Sequence, residues 1–169
     1  MLTIPAHAFP QRTPLELFAL ARRGLAEAAA AGTDEERYAT AHLAALRAAA
    51  AVVAARARPA PGGRGRPTSV WGLLTLVAPE LSDWAALFAA GARRRAIAEA
   101  GVPGAVTHQE SERLMVEAER FVAIVADALA LAHRPTIPQQ AGARSGVTAQ
   151  HLSGAAASHR SAAALSRAA

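Results

Sequence analysis

The chain has 169 residues, and 18 basic against 13 acidic side chains give it a net charge of +5. That length suits one domain with one continuous core, and the absence of cysteine excludes disulfides and thiolate metal sites. Forty-eight alanines and only seven aromatic residues predict closely packed helices joined through Ala, Leu and Val.

All the basic residues are arginine, and neither lysine nor asparagine occurs. Together with abundant Ala, Gly and Pro this reads as a GC-rich genome of the actinobacterial kind, so an arginine is not by itself a sign of bidentate chemistry. The charge is uneven. Residues 1–133 hold 14 Arg against 13 acids, whereas residues 134–169 hold four Arg and no acid. The excess charge belongs to the tail, which weakens any case for a nucleic-acid footprint on the body.

Residues 1–12 are expected to be a flexible N-terminus, since Met1 to Pro10 lack the charged and apolar segments of a signal peptide. Three helix starts then share one signature. Thr13-Pro14-Leu15-Glu16, Thr33-Asp34-Glu35-Glu36 and Thr107-His108-Gln109-Glu110 each set Thr at the N-cap and Glu three residues on, the pattern of a capping box. The first helix is predicted from about Pro14 to Ala31, stopping at Gly32, and the second from about Asp34 to Ala57. Residues 58–67, rich in Pro, Gly and Arg, form a loop. A short helix from about Ser69 to Val77 ends before Pro79, and a longer one spans about Glu80 to Ala100. After the Gly101-Val102-Pro103-Gly104 turn, the last helix spans about His108 to His133. No strand is expected. Residues 134–169 read as a disordered basic tail.

On the second helix Tyr38, His42, Ala45, Leu46, Ala49 and Val53 form one stripe at helical spacing; on the last, Leu114, Ala118, Phe121, Val125, Ala128 and Ala132 do the same. The fold class is therefore all-α: residues 13–133 make an up-down four-helix bundle with an extra short helix. Arg47 and Asp127 interrupt the two most apolar runs before they reach the roughly 20 residues that span a bilayer. No membrane association is expected, and a cytoplasmic location follows by default.

Arg37 and His42 together have the residue types for metal-independent RNA cleavage, the histidine moving a proton and the arginine stabilising charge on phosphorus. Five residues along a helix, however, is about 140° of rotation, so the two side chains diverge. A buried, hydrogen-bonded core histidine is the favoured reading of His42. Arg56, Arg58, Arg64 and Arg66 line the end of the second helix and its loop, where they suit phosphate contact or solubilisation equally. Arg93-Arg94-Arg95 sits near a helix C-terminus, where cations complement the dipole. Trp71 and Trp84 are expected to pack the short helix onto the bundle. The histidines form no metal constellation, and no cofactor is expected.

The stretch Glu36-Arg37-Tyr38-Ala39-Thr40-Ala41-His42-Leu43-Ala44-Ala45-Leu46-Arg47-Ala48 resembles the second helix of HEPN (higher eukaryotes and prokaryotes nucleotide-binding) domains. With the Arg/Pro loop, Ser69-Val70-Trp71 and Val77-Ala78-Pro79-Glu80-Leu81, residues 14–131 are similar to an actinobacterial branch of that superfamily. The resemblance implies a bundle of four to five helices, often dimeric. It also implies either a metal-independent endoribonuclease or an inactive binding module. Active members carry Arg, a polar residue, three to five more residues and His near the start of the last long helix. Here no His follows Arg113 at that spacing, while Arg37 and His42 lie on the second helix with Tyr38 in place of the polar residue. The expectation is a non-catalytic, homodimeric module that binds RNA, a nucleotide or a protein partner. Alternatives are an endoribonuclease using Arg37 and His42, and a protein-interaction adaptor.

Overall fold

The computed structural model describes residues 2–60 and 69–132. The elements are β1 (Leu2–Pro5), α1 (Pro14–Ala29), α2 (Asp34–Arg56), β2 (Ala57–Ala60), α3 (Val70–Val77), α4 (Ser82–Glu99) and α5 (His108–Ala132), with 3-10 turns at Ala6–Ala8 and Pro79–Leu81. Among the described residues the architecture is helical, four long helices and one short one, with a single pair of four-residue strands. Arg64, Arg66 and the tail residues 134–169 lie outside the described residues.

Hydrogen bonding by side chains sets the helix starts. At α1 the Thr13 hydroxyl accepts from the Glu16 amide at 3.3 Å, and the Glu16 carboxylate accepts from the Thr13 amide at 2.9 Å. At α5 Thr107 and Glu110 do the same, at 3.2 and 3.0 Å. At α2 the box is only half formed. Thr33 caps the Glu36 amide at 3.2 Å, but the Glu36 carboxylate reaches the Gly32 amide, one residue further back. Gly101 and Gly104 turn the chain between α4 and α5 with φ of 69° and 71°, a conformation that side-chain-bearing residues avoid.

Helix α2 is the hub. Alanines 41, 44, 45, 48, 49 and 51 are fully buried along it, so neighbours approach on several sides at once. It is long and apolar enough to cross a bilayer by length and composition, and 67% of that stretch is covered by the other elements. Helix α1 runs antiparallel to it, with Gly24 against Ala44 and Arg47 reaching the Leu20 carbonyl. Helix α4 is also antiparallel, with Phe88 beside His42 and Gly91 beside Tyr38. Helix α5 runs parallel to α2, Asp34 meeting Ser111 and Arg37 meeting Glu112. The order is therefore up-down-up-down.

A ring cluster closes the bundle where α3 arrives. Trp71 of α3 stacks on Phe88 of α4 at 5.3 Å between ring centres, and Phe121 of α5 lies 5.3 Å from Phe88 and 5.6 Å from Trp84. Trp71 is buried and Trp84 half-buried in this cluster, which anchors the short helix.

The N-terminus differs from the expectation of a flexible segment, and strands occur where none was expected. β1 pairs in parallel with β2, Leu2 opposite Ala57 through Pro5 opposite Ala60. Parallel strands need a long crossover, and α1 with α2 supplies it. A two-stranded pair is marginal by itself; burial of Ile4, at 2% exposure, ties this one to the core. Helix α2 consequently ends at Arg56, and Ala57, expected in the helix, and residues 58–60, expected in the loop, are extended.

Candidate functional site

Arg37 and His42, the pair that nuclease chemistry requires, have separate surroundings. The His42 ring is 1% exposed and meets Trp71 and Phe88 edge-on, each with ring centres 5.8 Å away. Its Nε2 lies 2.8 Å from the Phe88 carbonyl oxygen, which only accepts, so Nε2 carries the proton and donates. In the neutral ring Nδ1 is then a lone pair, and it has no partner among the described residues. Burial holds the imidazole pKa below its ordinary value, outweighing the upward pull of the Phe88 carbonyl.

Arg37 belongs to a polar knot that joins the N-termini of α2 and α5. One Asp34 oxygen accepts from Ser111 Oγ at 2.6 Å, His108 Nδ1 at 3.0 Å and Arg37 Nη1 at 3.2 Å. Arg37 also pairs with Glu112 at 3.1 Å. The bond from Ser111, then that from His108, lowers the Asp34 pKa. Glu35 extends the knot by accepting from the Gly104 amide at 2.8 Å. These contacts occupy Arg37 with carboxylates, and no hydrogen bond or ion pair links it to His42 among the described residues.

The loop arginines are also divided. Arg56 is ion-paired with Glu80 beside the Pro79–Leu81 turn, and Arg58 is exposed on β2. Across the described residues twelve arginines face thirteen carboxylates, so the helical body carries no cationic excess.

A groove opens instead between α4 and α5. Both helices pack on α2, and side chains rather than close backbone packing bridge them: the Phe88–Phe121 ring contact towards one end, and an Arg94–Glu110 ion pair of 2.7 Å at the other. Between these points lies a groove of about 310 Å³. Leu87, Ala90, Gly91 and Arg94 line it from α4, and Glu110, Arg113, Leu114 and Glu117 from α5; both sets recur at three- and four-residue spacing, one helix face each. Tyr38 of α2 joins the lining next to Gly91. Its phenol pKa is raised, chiefly by burial, with the Arg94 guanidinium opposing.

Gly91 is the reason α4 sits so close to this tyrosine. A Cβ there would lie 2.9 Å from the Tyr38 hydroxyl and 3.3 Å from His42 Cδ2. The charges along the groove are not equivalent. Arg94 is held by Glu110, whereas Arg113 forms no ion pair among the described residues. Glu117 is one turn further along α5, its side chain 22% exposed, and touches Arg120 only at 3.9 Å. The groove thus offers a free guanidinium, a lightly paired carboxylate and the apolar faces of Leu87 and Leu114. That combination suits an amphiphilic ligand with an anionic group and hydrogen-bond donors.

None of the groove residues was picked out as a site by sequence reading. In the sequence Arg113 stands out only for lacking a following histidine, Arg94 as a dipole-complementing cation, and Tyr38 as a core residue. The usable signal was the pair of 3–4 stripes on α4 and α5.

A family model, HEPN_SAV_6107-like HEPN, matches residues 28–126. That span runs from the end of α1 into α5 and includes every residue lining the groove. No curated protein and no solved structure matches the chain.

Proposed function

Because the chain belongs to the HEPN_SAV_6107-like HEPN family, we propose that it is a non-catalytic HEPN module that binds a nucleotide or RNA in the α4–α5 groove. The observation that carries this reading is the contrast between its two polar regions. His42 is sealed, neutral and committed to Phe88, and Arg37 is neutralised by Asp34 and Glu112. The groove, by contrast, is open and holds the Arg113 guanidinium, which has no ion-pair partner among the described residues, beside the apolar side chains of Leu87 and Leu114. A general acid or base must reach the proton it moves, and a ring 1% exposed inside an aromatic cluster does not.

Two measurements test the reading. Labelled single-stranded RNA incubated without metal should stay intact with the wild type, His42→Gln and Arg37→Ala alike. Cleavage by the wild type that His42→Gln abolishes would overturn the non-catalytic assignment. Fluorescence anisotropy should show RNA binding that Arg113→Ala weakens. The salt dependence should be shallow, because the groove offers few cations for counterion release.

A second reading, an adaptor that docks a protein partner or a second copy of the chain, draws support from exposed Leu87 and Ile97 on α4 and Val116 on α5. Light scattering over a concentration series tests it: a dimer that Leu87→Glu with Val116→Glu dissociates supports the reading, and a monomer throughout removes self-association.

A further inference from the structure

We infer that the α4–α5 groove selects guanine, taking a guanine nucleotide, free or as one residue of an RNA strand, with Glu117 reading the base and Arg113 contacting the phosphate. The inference rests on the nucleotide-binding reading above and adds the identity of the base.

Glu117, Arg113 and Glu110 lie on one helix face, Arg113 about 6 Å and Glu110 about 10 Å along the axis from Glu117. At the far end Glu110 is neutralised by Arg94, so the net charge there comes from Arg113. At the near end stands the Glu117 carboxylate. A ligand lying along the groove meets acceptors at one end and a cation at the other, with Leu114 on the α5 wall between them and Leu87 facing the acceptor end from α4. A nucleoside monophosphate has this order: a base edge, a flat apolar body and a phosphate.

The carboxylate chooses among bases. An ionised Glu only accepts hydrogen bonds, through two oxygens. The Watson–Crick edge of guanine presents two adjacent donors, N1–H and the exocyclic amine, which match a carboxylate two-on-two. Adenine presents one donor beside the N1 lone pair, so one carboxylate oxygen would face a lone pair. Uracil presents one donor between two carbonyls. Charge-assisted, bidentate pairing therefore favours guanine. Glu117 is free to act this way because its own helical neighbour Arg120 stands at 3.9 Å, beyond hydrogen-bond distance. Arg113, without an ion pair among the described residues, keeps its planar fork for phosphate oxygens.

The test titrates the full chain with 5′-GMP, 5′-AMP and guanosine, and with the RNA pentamers UUGUU and UUAUU, by isothermal titration calorimetry. GMP is expected to bind about tenfold tighter than AMP, the discrimination of one good bidentate base contact. UUGUU should exceed UUAUU similarly if the ligand is an RNA residue; preference among mononucleotides alone identifies the free nucleotide. Glu117→Gln, whose amide offers one acceptor and one donor, should remove the preference for GMP and shift it towards AMP. Arg113→Ala should reduce GMP to the affinity of guanosine. Arg113 is exposed and Glu117 half-buried, so an unchanged melting temperature is required of each variant to verify the fold. Equal binding of GMP and AMP by the wild type would overturn the guanine assignment and leave the nucleotide reading intact. Guanine preference that survives Glu117→Gln would overturn the role of Glu117. No binding of any nucleotide or pentamer would overturn both.

Discussion

His42 is the residue whose type and setting pull in opposite directions. Its chemistry suggests proton transfer, but the Phe88 carbonyl and two edge-on rings fix it as a neutral donor in the core. The setting has a pH signature. With the folded pKa depressed, the unfolded chain binds a proton that the native protein refuses. The stability this group contributes is complete above the ordinary histidine value of 6.5 and is lost as pH falls below it towards the lower folded pKa. Asp34 acts in a separate window: its depressed pKa contributes stability above 3.8 that is lost as pH falls through the folded value. Urea denaturation across pH should therefore show two limbs, the upper one flattened in His42→Gln and the lower one in Asp34→Asn. Removing the buried bond to Phe88 should itself cost about 1–3 kcal/mol. A wild type whose stability is flat between pH 7 and 5 would contradict the buried, neutral state of His42.

Gly91 makes a second residue-level case. Alanine there gains roughly 1 kcal/mol in helix propensity but places a methyl 2.9 Å from the Tyr38 hydroxyl. Overpacking of that kind costs about 1–3 kcal/mol, so Gly91→Ala should lower the melting temperature. Tyr38→Phe removes the crowded oxygen and should return part of the loss. A double-mutant cycle with no coupling between the two sites would contradict the contact.

At the scale of elements, the helix ends follow from local chemistry. Thr13 and Thr107 cap α1 and α5 with complete boxes, whereas the carboxylate at α2 bonds further back. Thr107→Ala should cost about 1 kcal/mol, and a stability change within measurement error would show that the cap is not needed. The β1–β2 pair depends on Ile4. Ile4→Ala deletes a fully buried side chain and should cost about 2–5 kcal/mol, measured by the same denaturation. A change near zero would mean that the strand pair is not tied to the core.

These elements were unequally legible. Thr-x-x-Glu signals place α1, α2 and α5, and Pro79 with the Gly101–Gly104 turn bounds α3 and α4, all to within a few residues because these are short-range properties of the chain. The strand pair was illegible. Each strand is four residues, each includes a proline, and the partners lie 55 positions apart, so neither alternation nor a turn signal announces them. The burial of Tyr38 and His42 was read from their stripe. The groove was not, since Arg113 and Glu117 at helical spacing look the same as a solvated face until α2 holds α4 and α5 apart.

For the whole molecule, the arrangement of helices around α2 decides where function resides. Three neighbours compete for one alanine-rich helix, and α4 and α5 both dock on it without closing over each other. The consequence is an open seam with Tyr38 in its lining and unpaired charge on its α5 wall. Backbone amide NMR of the full chain titrated with 5′-GMP tests this claim most directly. Shift changes are expected at Leu87 to Arg94, Glu110 to Glu117 and Tyr38, and in Arg113→Ala they should require a higher nucleotide concentration. Changes centred on the Asp34–Ser111 knot, or none at saturating nucleotide, would contradict it.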